Sequence, residues 1–85
     1  HATIRVQVTD HAGSNLTAQI VVNGALAGTL TIPSDQTASL DVAVAYATAN
    51  GASFDVAATT TAGPRDSTSV FVNTPGIFVV SLQLG

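Results

Sequence analysis

Apolar and polar positions alternate along almost the whole chain, with β-branched residues in many apolar slots and polar turns at short intervals, which is the period-two signature of half-buried strands. Ile4, Val6 and Val8 alternate with Arg5, Gln7 and Thr9, so the first strand is predicted to have one dry and one wet face. Residues 10–15 (DHAGSN) read as a loop, because Asp, Gly, Ser and Asn each favour turn geometry. Residues 16–22 return as a strand with Leu16, Ala18, Ile20 and Val22 on its dry face. Asn23-Gly24 is the strongest local signal: a type I′ hairpin needs two residues that tolerate positive φ, so strands two and three should pair directly. Leu26, Leu30 and Ile32 are expected to continue the dry face before Pro33-Ser34-Asp35 ends the third strand.

The fourth strand is predicted over residues 40–46 through Leu40, Val42, Val44 and Tyr46. Alanine propensity in residues 43–52 favours helix, but the Val and Ala alternation continues and Asn50-Gly51 supplies a turn, so strand is preferred. Phe54, Val56 and Ala58 mark a fifth strand, residues 59–66 a loop, and residues 67–72 a sixth strand. Asn73-Thr74-Pro75-Gly76 turns into a last strand, residues 77–84, apolar on both faces near Phe78, Val79 and Val80, which predicts a central position or a face covered by a partner. About seven short strands at this spacing predict an all-β chain, a single antiparallel β-sandwich domain spanning residues 1–85.

Composition narrows the function. Cysteine is absent, which removes disulfide staples, thiolate metal sites and thiol catalysis. Arg5 and Arg65 are the only strong cations, too few to neutralise a phosphate backbone or a charged membrane surface, so nucleic acid and a polybasic membrane contact are not expected partners. No apolar run approaches the roughly 20 residues of a spanning helix. Charged residues make up 8% of the chain, against about 25% in ordinary soluble domains. A surface of Thr, Ser, Asn, Gln, Gly and Ala fits a secreted or cell-surface protein that associates with copies of itself. The first and last strands are the expected edges for that pairing, without the lysines that usually guard an edge.

Catalytic chemistry is not expected. Serines and threonines are plentiful, but only His1 and His11 could serve as the usual base, and neither lies in a nucleophile motif. Five aspartates without a glutamate make a poor glycosidase pair. Asp41 and Asp55 fall on wet strand faces, Asp35 in a turn, and Asp66 beside Arg65, where a local ion pair is expected. A histidine in first position could chelate copper together with His11, but a strand of about 30 Å separates them. Asn15-Leu16-Thr17 matches the glycosylation sequon, which short sequences also reach by chance.

Residues 6–32 run strand, Asx-x-x-Gly loop, strand, Asn-containing hairpin and a strand rich in Ala and Thr; residues 49–72 run Gly-turned strand, Gly-x-x-Asp loop and strand; and Leu84-Gly85 closes the sequence. In these features the chain resembles the bacterial calcium-dependent fucose- and mannose-binding lectins of the type II class. The resemblance implies that Asp10 stands at a metal-ligand position, that His11, Ala12 and Gly13 form the loop setting sugar preference, and that Gly85 offers its carboxylate to a neighbouring subunit's metal. Calcium would then be held by Asp10 and Gly85. The family's long acidic loop before the last strand is replaced here by residues 73–76, a tight turn. Calcium takes about six to eight oxygen ligands, so either the metal site is lost here or neighbouring subunits supply ligands.

The expected function is a non-catalytic, lectin-like carbohydrate-binding domain that reads sugar hydroxyls through Asp10, His11, Ala12, Gly13, Asn15, Asp66 and Gly85, in a dimer or larger homo-oligomer. Tyr46, Phe54, Phe71 and Phe78 are all expected in the core, leaving no stacking platform. The alternative is a self-assembling extracellular structural subunit joined through strand edges.

Overall fold

The alternating pattern folds into seven strands in a computed structural model whose described residues are 1–46 and 50–85. They are β1 (Ala2–Asp10), β2 (Leu16–Val22), β3 (Ala25–Ile32), β4 (Thr37–Val44), β5 (Ala52–Thr60), β6 (Arg65–Val72) and β7 (Ile77–Leu84). Two sheets pack face to face as a β-sandwich: a three-stranded sheet in the order β4-β1-β7 and a four-stranded sheet in the order β3-β2-β5-β6. All pairings are antiparallel except β1 with β7, which run parallel. The expected Asn23-Gly24 hairpin joins β2 to β3, with φ of 49° at Asn23 and 81° at Gly24, the two left-handed conformations that a type I′ turn requires.

Between the sheets lie Ile4, Val6 and Val8 of β1, Ala18 and Ile20 of β2, Ile32, Val56 and Ala58, Val72, and Leu82 and Leu84 of β7, all fully buried. A domain this small has little apolar area to spare, so each inward position carries weight. Gly28 belongs to this packing: a Cβ there would come within 2.8 Å of Leu40, so the missing side chain lets β4 close on β3.

Several expectations are corrected. Leu26 does not continue the dry face; it is 63% exposed. Ile20 pairs with Gly28 and Val21 with Leu26, so one extra β3 residue bulges and reverses the alternation beyond it. Phe71 is not core either: it alternates with the inward Val70 and Val72, is 53% exposed, and rests its ring tip on the Gly51 turn. Of the two expectations for the last strand, the edge position is the one observed and the central one is not, and Ile77 and Val79 are exposed. The first strand is central rather than an edge, flanked by β4 and β7. The fourth strand begins at Thr37, earlier than expected, and ends at Val44, with Tyr46 just beyond it still packed on the core. Part of the Ala-rich stretch, residues 47–49, lies outside the described residues.

The strands alternate in direction, so every connection falls at one of two ends. Residues 11–15, 33–36 and 61–64 gather at one end together with Gly85. His1, the Asn23-Gly24 hairpin and residues 73–76 lie at the other.

Candidate ligand-binding end of the sandwich

Position 10 continues the inward phase of Ile4, Val6 and Val8, so β1 carries a carboxylate into the mouth of the core. Asp10 is the buried charged residue among those described, at 0% exposure. Its backbone N–H donates to the Gln36 carbonyl at 3.0 Å, fixing it opposite the β3–β4 turn. Its Oδ1 accepts the Ala12 N–H at 2.8 Å, an Asx turn that bends the loop back over the strand end. Oδ2 is buried without a hydrogen-bond partner among the described residues. A buried carboxylate oxygen left unpaired is costly, and such groups concentrate where a ligand or solvent completes the bonding.

The loop is clamped to β7. His11 donates its backbone N–H to the Leu84 carbonyl at 2.7 Å, and its side-chain Nε2 donates to Oε1 of Gln83. Gly85 lies so close to the His11-Ala12 peptide that a Cβ at 85 would come within 2.6 Å of the Ala12 nitrogen. With φ of 102°, the position favours glycine twice over. Gly13, at φ of 80°, completes the turn and has open space above it.

Asp66 does not form the expected pair with Arg65. Its Oδ1 accepts the Ser67 N–H at 2.9 Å, and its Oδ2 accepts the Gln83 N–H at 3.0 Å, bridging the edges of the two sheets. Gln83 is therefore held through its backbone by Asp66 and through its side chain by His11. Asn15 faces the other side of the loop, where its Oδ1 accepts the Ser34 N–H at 3.0 Å. Thr9 and Thr37 share a hydroxyl hydrogen bond of 2.8 Å between β1 and β4 nearby. On the outer face beside Asp66, a shallow depression is lined by Ala57, Thr59, Arg65 and Ser67.

The named site residues thus converge on one end from the β1–β2 loop, the start of β6 and the residue after β7. No family model, characterised protein or solved structure matches the chain. The site must be read from its own chemistry. Among the described residues there is no group of three or more His, Asp or Glu side chains placed to hold a metal. Asp10 contributes one free oxygen where calcium needs about six to eight, and both oxygens of Asp66 already accept backbone N–H groups. The donors present do not fit a resident calcium. His1 lies at the opposite end from His11, so the two cannot form a copper chelate within one chain. What remains is an end rich in hydrogen-bonding groups: the exposed His11 side chain, the exposed loop residues Ala12 and Gly13, and the Asp66 carboxylate at the sheet edge, with Asp10 Oδ2 buried beneath them.

Gln83 was missed by sequence reasoning as a member of this end. Its signal was the outward phase of β7, which places it beside Thr9 and next to Leu84, the partner of Asp10.

Proposed function

We propose that this domain is a non-catalytic carbohydrate-binding module that recognises sugar hydroxyls at the end formed by Asp10, His11, Ala12, Gly13, Gln83 and Asp66. The observation that carries the reading is the strand end itself, where the Asp10 Asx turn is clamped to β7 and presents His11, Ala12 and Gly13 to solvent, with the unpaired Asp10 Oδ2 buried behind them. Sugar hydroxyls suit such a place: each is a donor and an acceptor, and neighbouring hydroxyls on one ring can meet a carboxylate and a peptide N–H together. Preorganisation favours binding too, because the loop is already bent by the Asp10 to Ala12 bond and pinned to β7. The end lacks an aromatic face, since Phe71 is exposed at the other end, so binding there rests on polar contacts and is expected to be weak per site. Glycan-array binding with and without EDTA tests the reading. Recognition of a defined monosaccharide class that survives EDTA agrees with it, and a blank array under both conditions overturns it.

A further inference from the structure

A β-sandwich of two open sheets has four edge strands, here β3, β4, β6 and β7. Three are guarded. The β3 edge carries the bulge opposite Ile20 and Val21, which breaks the regular row a second strand would need. The β6 and β7 edges face one another, with the Asp66 carboxylate occupying the Gln83 N–H between them.

The β4 edge faces β3, with Leu40 resting on Gly28, but it carries no bulge, and no side chain among the described residues occupies its outward peptides. Its ladder to β1 is regular throughout, and the Asp10 N–H to Gln36 carbonyl bond sets the phase. Hydrogen-bonded pairs alternate in an antiparallel ladder. Ala38, Leu40, Val42 and Val44 therefore turn their peptides toward β1, and Thr37, Ser39, Asp41 and Ala43 turn theirs outward. No hydrogen bond among the described residues uses those outward groups. The strand has no lysine and no proline, and its one charge, Asp41, is neutralised by a two-pronged pair with Arg5 at 2.9 and 3.0 Å.

We infer that β4 is a self-association edge, pairing antiparallel with β4 of a second copy to make one continuous six-stranded sheet. The occupant follows from self-complementarity. A register with Leu40 opposite Leu40 of the second copy places Ser39 opposite Asp41 and Thr37 opposite Ala43, and it engages all four outward residues in about eight hydrogen bonds. Centring on Asp41 would set the two carboxylates face to face, and centring on Ser39 would leave Ala43 unpaired. The Leu40 register also joins the two dry faces, since Ala38, Leu40 and Val42 point into the sandwich on both sides of the axis. This inference stands independently of sugar binding, whose residues lie on the β1–β2 loop, β6 and β7.

Sedimentation velocity across a concentration series, on the native chain and two variants at position 39, tests it. Ser39→Asp sets a carboxylate opposite Asp41 twice across the axis and should weaken the dimer by about tenfold. Ser39→Lys sets an ammonium there and should tighten it, although a lysine on an edge ordinarily opposes strand pairing. Circular dichroism of both variants checks the fold. A native chain that stays monomeric at every concentration overturns the inference, including the case where the edge serves a strand from another protein. A dimer indifferent to both substitutions, or weakened by both alike, overturns it as well.

Discussion

The two ends of the sandwich differ in how their backbones are satisfied. At the far end, the hairpin is tied to the neighbouring strand β5 through one residue: Asn23 takes positive φ, its Oδ1 accepts the Asp55 N–H at 2.8 Å, and its own N–H donates to the Asp55 carbonyl. At the Asp10 end the loops are tied to one another by side chains, through Asp10 to Ala12, Asn15 to Ser34, His11 to Gln83 and Asp66 to Gln83, and one buried acceptor is still unspent. The turn itself needs only two residues that tolerate positive φ, and a single asparagine anchors it to β5. The Asp10 end is assembled from distant strands and keeps one carboxylate oxygen buried without a partner among the described residues.

The comparison can be broken by substitution. The largest effect is expected from Asp10→Ala, which strands the part-buried Ala12 N–H and should lower unfolding free energy by about 1–3 kcal/mol in urea denaturation. Asp10→Asn, which keeps an acceptor for that N–H, should recover most of the loss. Equal destabilisation by both would mean that charge, not the Asx turn, holds the loop. Asn23→Ala should cost about 1–2 kcal/mol, from left-handed strain and the lost bond to Asp55, and should leave ligand binding at the Asp10 end unchanged. The smallest effect lies away from both ends. The hydrogen bond from Arg5 holds the Asp41 carboxyl below its usual range and Arg5 correspondingly above its own. For a carboxyl depressed by folding, the stabilisation is present above the unfolded carboxylate range and fades as pH falls through the depressed value. Both groups are exposed, so the effect is small and screened by salt. Acid titration of stability should show Arg5→Ala lacking that part of the slope, with the two proteins converging at low pH.

The alternation of Ile4, Val6 and Val8, the Asn23-Gly24 turn and the run of seven strands were readable because each depends on neighbours in sequence. The same phase would have placed Asp10 inward and Phe71, Ile77 and Val79 outward. Residue type argued the other way: aspartate is rarely fully buried and large apolar side chains usually are. Leu26 was misplaced because a bulge shows itself only against a partner strand. The parallel β1–β7 pairing, which brings Gly85 and Gln83 to the Asp10 loop, depends on contacts between the two ends of the sequence, and no local pattern encodes it. Asp66 was paired with its neighbour Arg65 for the same reason, whereas its partner is a backbone N–H on another strand.

Backbone amide chemical shifts followed while monosaccharides of differing hydroxyl stereochemistry are titrated into the labelled protein test the central claim most directly. The account predicts shifts confined to residues 10–15, 65–67 and 83–85 for at least one sugar class, with the Asn23-Gly24 hairpin and residues 73–76 unmoved. Shifts centred on Phe71 and Gly51 at the opposite end, or none for any sugar at millimolar concentration, would contradict it.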